Sequence, residues 1–168
     1  ARQELELESA LLVAFGATRR AGSSVTEDAQ VRALLDSGAP VVTLVAKSDV
    51  RHVTEALRTT LDENLAMVSD TVAYLVAEGR RVFLDLEHFF DGYKRNPEFA
   101  LRAIEASVVN GASHLVLCDT NGGSLPHEVA QIVADVRKVV GDDATIGIHC
   151  HDDTGCAVAN SMAAVMAG

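Results

Sequence analysis

Apolar residues occur along the chain in five short runs, and each run is followed by a longer stretch with helical periodicity. The runs are rich in Val, Leu and Ile and are bounded by turn-forming or polar residues, which is typical of buried β-strands. Because they are continuously apolar rather than alternating, they indicate strands that are covered on both faces. The predicted strands are residues 10–15, 41–45, 82–87, 115–118 and 145–151.

Turn and capping residues divide the segments between these strands into helices. Thr60, with Glu63 three residues later, has the pattern of a capping box and predicts the start of a long helix that Gly79 closes. Pro97 and Pro126 suit the first turns of two later helices. The predicted helices are residues 26–35, 48–58, 60–78, 97–110, 126–140 and 155–166.

Five strands, each followed by a helix, predict a parallel α/β fold. Polar residues gather at the carboxyl ends of the later strands, as they do on the active face of a (β/α)₈ TIM barrel. An open doubly wound sheet binds ligands at the same edge, but no GxGxxG or Walker motif follows the first strand. This absence weakens the nucleotide-binding version of the open sheet and favours a partial (β/α)₈ TIM barrel of about five consecutive β/α units. An intact barrel would need three more strands than this chain has.

Charge and cysteine content exclude several classes of function. Lys and Arg total 14 against 24 Asp and Glu, and the formal net charge of −10 argues against binding nucleic acid or an anionic membrane. No apolar stretch has membrane-spanning length. The three cysteines have no CxxC spacing, so we do not expect a disulfide scaffold. We expect a cytoplasmic location, where thiols stay reduced.

The fifth predicted strand carries a candidate metal-binding pair, His149 and His151. Side chains alternate along a strand, so these two imidazoles point to the same side while Cys150 points to the other. Two imidazoles on one face suit a divalent metal, and Asp152 and Asp153 follow directly to ligate or orient them. A His-x-His pair also occurs as ordinary structural histidines. If it is a metal site, a third protein ligand must come from elsewhere.

Two carboxylates share one face of the third predicted strand, Asp85 and Glu87. Facing a pocket, Glu87 could ligate a metal, hold a substrate hydroxyl or relay a proton. The alternative is a carboxylate paired with a nearby cation such as Arg81 or Lys94.

The segment 118–123 runs from a strand end into a glycine turn. It could bring backbone N–H groups close to an anion, or it could be an ordinary tight turn. The three cysteines are expected to be packing residues. Nearby, His88 is expected to be a hydrogen-bonded structural histidine, and Phe89 and Phe90 to cap the barrel or pack under a loop.

Three motifs in this order, residues 87–94, 117–126 and 149–155, closely resemble the isopropylmalate and homocitrate synthase family of metal-dependent TIM-barrel enzymes, and its citramalate-forming branch most of all. Residues 15–20 and 53–57 also resemble that branch. The resemblance implies a Claisen condensation of acetyl-CoA with a 2-oxo acid, pyruvate in this branch, assisted by Zn²⁺, Mn²⁺ or Mg²⁺. It also implies an enzyme of amino-acid biosynthesis that forms a homodimer.

The resemblance assigns roles residue by residue. His149 and His151 match the metal-binding His-x-His, and Glu87 and Thr120 match positions that contact the oxo acid. We take Glu87 as the catalytic residue and Thr120 and Asp85 as substrate-binding residues.

One departure is Asp152, since synthases of the family usually carry Asn there, while a related lyase has a similar His-Cys-His-Asp run. The resemblance also implies that residues 1–168 are the central part of a TIM-barrel catalytic domain whose first two strands and last strand are missing. The family's Arg-Asp pair lies on its first strand, so we expect the 168-residue chain alone to be inactive. A metal-dependent lyase or aldolase and a non-catalytic barrel domain remain alternatives.

Overall fold

The computed structural model describes residues 7–168 and contains one parallel sheet. Its strands are β1 (Val13–Ala17), β2 (Val41–Lys47), β3 (Arg81–Glu87), β4 (His114–Asp119) and β5 (Thr145–Cys150). They pair in chain order, β1-β2-β3-β4-β5, and every pair is parallel. In a doubly wound sheet the strand order reverses at a switch point. Within residues 7–168 the strand order does not reverse, so it is the order of strands in a barrel wall.

Helices cover one face of the sheet. They are α1 (Ala29–Asp36), α2 (Leu61–Ala77), α3 (Phe89–Arg95), α4 (Pro97–Val108), α5 (Pro126–Val140) and α6 (Ala157–Ala167), with a π-helical turn at His52–Ala56. The strand residues that point towards the helices are almost fully buried, for example Leu44, Leu84 and Leu115. We call this the outer face and the opposite side of the sheet the inner face. None of the helices within residues 7–168 has both the length and the apolar character that a membrane span requires.

The predicted strands and the four later helices agree with the structure to within a few residues, and α5 has the predicted bounds. The first strand was predicted over residues 10–15, with Gly16 in the following turn. In the structure it is Val13–Ala17, so Gly16 is part of the strand. A Cβ at Gly16 would lie 3.0 Å from Leu34 of α1, so the glycine lets that helix pack closely. Helix α1 begins later than predicted, since Asp28 Oδ1 caps it by accepting hydrogen bonds from Gln30 N and Val31 N.

The capping box predicted at Thr60 is only half formed. Thr60 Oγ1 accepts a hydrogen bond from Glu63 N at 3.1 Å, as predicted. The Glu63 carboxylate instead accepts from Gly22 N and from the buried Arg19 guanidinium, at 2.8 and 2.7 Å. These hydrogen bonds hold the pKa of Glu63 below its usual value. The residue therefore ties the loop after β1 to α2 rather than closing the helix terminus.

Helix α3 was not predicted. It opens with Phe89 and Phe90, which are fully buried in the main core, so the expectation that they pack under a loop is wrong. Gly92 explains how so short a helix can lie close to the sheet. A Cβ there would lie 2.5 Å from Ser48 O and 2.9 Å from Asp49 Cα, a separation that only glycine permits. Asp49 also forms an ion pair with Arg95, the last residue of α3.

Candidate functional site

The predicted site residues lie together at the carboxyl edge of the sheet, because the carboxyl ends of parallel strands meet at one edge. Asp85 and Glu87 end β3, Thr120 follows β4, and His149 lies near the end of β5 with His151 just beyond it. Strand register sets their neighbours. Glu87 is directly opposite Lys47, and His149 is directly opposite Cys118.

The two histidines of the predicted metal pair lie side by side and are both exposed. Their ring centroids are 5.1 Å apart, and their planes meet at 67°. Two imidazoles bound at about 2.1 Å to one tetrahedral ion have centroids roughly 5 Å apart, so the arrangement fits a shared divalent metal. Nitrogen and carboxylate donors are also the set that Zn²⁺ and Mn²⁺ accept.

Asp85 and Cys118 are close to the first of these histidines. One ligand atom from each of Asp85, Cys118 and His149 lies within 4.8 Å of the other two. Burial raises the pKa of the Asp85 carboxyl, and His149 opposes this shift. Burial, with the negative charges of Asp85 and Glu87 nearby, raises the pKa of the Cys118 thiol to about 12.

The cysteines therefore differ in their surroundings. Cys118 packs as expected but also faces the candidate site, which the sequence did not indicate. Cys150 lies on the outer face, as the alternation predicts, where burial raises its pKa and the nearby Ser161 of α6 opposes this shift. All three cysteines are free thiols, in agreement with the absence of a disulfide scaffold.

Asp152 and Asp153 do not face the histidine pair in the way the sequence indicated. Asp152 Oδ1 accepts a hydrogen bond from Ala157 N, the first residue of α6, at 2.8 Å. Asp153 packs against Gly122, where an added Cβ would lie 2.6 Å from Asp153 Oδ2. The first aspartate therefore caps a helix and the second joins two loops.

Glu87 forms an ion pair with Lys47, the last residue of β2. The alternative that Glu87 pairs with a cation is therefore confirmed, but the two cations named as examples, Arg81 and Lys94, are wrong. Arg81 lies over the Phe83 ring and Lys94 pairs with Glu128. Lys47 and Glu87 are the last residues of β2 and β3. The sequence did not indicate their pairing, because it depends on the register of these two strands. The carboxylate of Glu87 is about a quarter exposed and remains accessible from the inner face.

His88 connects the end of β3 to Thr120. Its backbone N–H donates to Thr120 Oγ1 at 2.8 Å. Its φ of 56° is in the left-handed region, which is unfavourable for a residue with a Cβ. Its ring is in edge contact with His52, at 3.9 Å between centroids, and its buried Nδ1 has no hydrogen-bond partner among the described residues. Burial and the neighbouring His52 lower the pKa of His88.

The glycine turn after β4 is a tight turn that docks against the end of β5. The backbone O of Asp119 accepts from both Gly122 N and His151 N, at 3.1 Å in each case. Gly122 O accepts from Thr154 Oγ1 at 2.7 Å and from Thr154 N at 3.2 Å. Because Gly122 N is used within the turn, the structure supports the tight-turn interpretation at this glycine over the anion-binding one.

A buried polar cluster lies beneath this turn. The Asp119 carboxylate accepts from Ser124 N and Ser124 Oγ, each at 3.2 Å. Asn160 of α6 donates to Ser124 O at 2.8 Å. Asn160 is fully buried, and its Oδ1 has no partner within residues 7–168. Together these contacts fix the β4 and β5 ends relative to α6, and thereby the backbone that carries His151.

Several known proteins are similar to this chain in sequence. (R)-citramalate synthase of Streptomyces coelicolor is 62% identical over 168 residues, which is 100% of this chain and 31% of that protein. (R)-citramalate synthase of Aquifex aeolicus is 51% identical over 166 residues, or 99% of this chain and 31% of that protein. Homocitrate synthase AksA of Methanopyrus kandleri is 40% identical over 128 residues, or 76% of this chain and 31% of that protein. The chain thus spans about a third of the length of these relatives.

The fold comparison gives the same architecture. The crystal structure of hydroxymethylglutaryl-CoA lyase from Pseudomonas aeruginosa matches 98% of this chain and 52% of its own, with a TM-score of 0.79 at 17% identity. The likeness concerns the fold and confirms the prediction of a partial TIM barrel. The HMGL-like family profile matches residues 17–168. The chain therefore belongs to the HMGL-like family.

Proposed function

We propose that this chain is the central part of the catalytic barrel of an acetyl-CoA-dependent acyltransferase that condenses acetyl-CoA with a 2-oxo acid, with pyruvate as the expected acceptor. The observation that carries the proposal is the 62% identity to (R)-citramalate synthase of Streptomyces coelicolor over the whole chain. Citramalate is the product expected when the acetyl methyl carbon bonds to the keto carbon of pyruvate. The methyl group loses a proton, the keto oxygen gains one, and water releases CoA from the thioester.

His149 and His151 are the proposed protein ligands of a divalent metal, Zn²⁺, Mn²⁺ or Mg²⁺. Their neighbouring rings and the nearby Asp85 carboxylate support this assignment. When bound, such an ion polarises the keto carbonyl of the oxo acid as a Lewis acid. The hydrogen bond from His151 N to Asp119 O keeps the second imidazole in place beside the first.

Thr120 and Asp85 are the proposed contacts to the oxo acid. Thr120 Oγ1 already accepts a hydrogen bond from His88 N, so its own O–H is left to donate to a carboxylate oxygen of the substrate. Asp85 lies beside His149, where burial raises the pKa of its carboxyl group. Asp85 lies on the side of the sheet that carries His149, and Thr120 lies beside the end of β3.

Glu87 is the proposed catalytic residue, which moves a proton at the reacting oxygen of the oxo acid. The ion pair with Lys47 restricts its carboxyl group to one position at the end of β3. Positioned acid–base groups of this kind contribute about 10²–10⁴-fold to rate. We further propose that the whole protein is a homodimer in the cytoplasm, where its free thiols would stay reduced.

The full-length protein that contains this chain tests the proposal. With acetyl-CoA and a divalent metal, we expect CoA release that depends on an added 2-oxo acid and is fastest with pyruvate. One methylene more on the acceptor should lower kcat/KM by about 10–200-fold. Glu87→Gln should lower kcat by at least ~100-fold. His127→Ala, on the exposed surface of α5, is the matched control and should keep wild-type activity.

Two outcomes would overturn the proposal. CoA release at the same rate with and without a 2-oxo acid would contradict the proposed condensation. Full activity in Glu87→Gln would contradict the catalytic role proposed for Glu87. Cleavage of a carbon–carbon bond in a hydroxyacyl-CoA, without condensation, would favour the lyase alternative.

A further inference from the structure

Three different donor atoms converge on the inner face of the sheet. Asp85, Cys118 and His149 belong to the neighbouring strands β3, β4 and β5, and one ligand atom from each lies within 4.8 Å of the others. Cys118 and His149 are directly opposite each other in the strand register. The cluster therefore follows from the backbone pairing and does not need a loop to move.

This cluster differs in chemistry from the histidine pair. It offers one oxygen, one sulfur and one nitrogen. A thiolate sulfur favours soft cations such as Cd²⁺, whereas Mn²⁺ and Mg²⁺ favour oxygen ligands. Two carboxyl groups, those of Asp85 and Glu87, lie near Cys118, and a cation is favoured beside carboxylates.

We propose that Asp85, Cys118 and His149 form a second cation site, which takes thiophilic divalent ions. On binding, the Sγ–H bond of Cys118 breaks, an Sγ–metal bond forms, and the proton leaves to water. The other thiols cannot substitute for it at this site. Cys150 lies on the outer face beside Ser161, and Cys156 lies beyond the strand at the start of α6.

The site has a consequence that rests on the function proposed above. A cation held by this cluster takes His149 from the histidine pair and Asp85 from the oxo acid. Thiophilic ions should therefore inhibit the enzyme, and the inhibition should weaken as the concentration of the 2-oxo acid rises.

The test is a Cd²⁺ titration of the metal-free full-length protein, followed by the ultraviolet charge-transfer band that a thiolate–cadmium bond produces. We expect a saturable band that Cys118→Ser removes. Cys156→Ser is the matched control and should keep it. His151→Ala should also keep the band, because His151 is not a member of the cluster. Asp85→Asn should weaken Cd²⁺ binding by at least tenfold while leaving a thiolate band at high cadmium, and this variant keeps the test informative if Cys118→Ser does not fold.

An unchanged band in Cys118→Ser, or unchanged cadmium affinity in Asp85→Asn, would overturn the proposal. The band reports binding and does not require catalysis. A wild-type protein that forms the band but releases no CoA would contradict the proposed function and support this site. A wild-type protein that condenses its substrates but forms no band would support the proposed function and contradict this cation site.

Discussion

The ends of β4 and β5 are joined by backbone hydrogen bonds and a buried polar cluster, whereas the ends of β2 and β3 are joined by an ion pair and a strained histidine. In the first region, Asp119 O and Gly122 O each accept two hydrogen bonds, and one of these donors is the backbone N of His151. In the second region, Lys47 pairs with Glu87 across the partly open inner face, and His88 has a left-handed backbone with an unpartnered Nδ1.

The difference corresponds to what each region is proposed to do. A metal-binding pair needs fixed geometry, because two imidazoles must keep one separation. A carboxyl group that exchanges protons needs a tuned electrostatic setting, and backbone strain is often found next to such groups. Substitutions that add side-chain volume should therefore have the larger effect in the β4–β5 region. Substitutions that change charge or backbone conformation should have the larger effect in the β2–β3 region.

The largest expected effect is in the β4–β5 region. Gly122→Ala places a Cβ 2.8 Å from Asp153 N and 2.9 Å from His151 O, at a φ of 60°. We expect a loss of about 3 kcal/mol in the free energy of unfolding, from the clash and the left-handed backbone. Urea unfolding of the full-length protein measures it. Gly123→Ala is the matched control and should change stability by less than ~1 kcal/mol, since nothing lies within 4 Å of its added Cβ. Equal losses in the two variants would show that the turn is not docked as described.

A smaller effect is expected at His88. Glycine accepts a φ of 56° without strain, so His88→Gly should be more stable than His88→Ala by about 1 kcal/mol. Both variants should lower activity, because both remove the ring that packs on His52 next to Glu87. Arg58, an exposed residue with a φ of 55°, provides the control. Arg58→Gly should be more stable than Arg58→Ala by a similar amount, with wild-type activity in both. Alanine as stable as glycine at position 88 would contradict the strained backbone.

The smallest effect concerns pH. Burial and His52 lower the pKa of His88, with Lys47 acting in the same direction and Glu87 and Asp91 opposing it. The unfolded chain therefore takes up a proton near pH 6.5, before the folded protein does. The stabilisation is complete above pH 6.5 and is lost as the pH falls below 6.5 towards the folded pKa. Urea unfolding of the wild type at pH 7.5 and pH 5.5 should show a drop that is smaller in His88→Asn, an uncharged residue that tolerates this backbone. The same drop in both proteins would exclude His88 as its source.

The fold could be predicted from sequence because its signals are local. Apolar runs such as 41–45 and 115–118, and the prolines at 97 and 126, identify strands and helix starts without reference to the rest of the chain. The face shared by Asp85 and Glu87 follows from the two-residue period of a strand. The same period correctly placed Cys150 away from its histidine neighbours.

The features that sequence reasoning missed depend on contacts between distant segments. Helix α3 exists because Gly92 can approach the backbone of Ser48, more than forty residues earlier. Lys47 meets Glu87 through the strand register, and Asp152 caps α6 rather than facing the histidines because the chain turns directly into that helix. Local pattern does not contain any of this information.

The central claim is that the carboxyl edge of this sheet binds a divalent metal through His149 and His151. Electron paramagnetic resonance of Mn²⁺ bound to the full-length protein tests it most directly, since it reports binding without catalysis. The account predicts a saturable Mn²⁺ site whose affinity falls by at least ~10-fold in His151→Ala and in His149→Ala. The exposed control His127→Ala should bind Mn²⁺ as the wild type does. Unchanged Mn²⁺ affinity in both His149→Ala and His151→Ala would contradict the account.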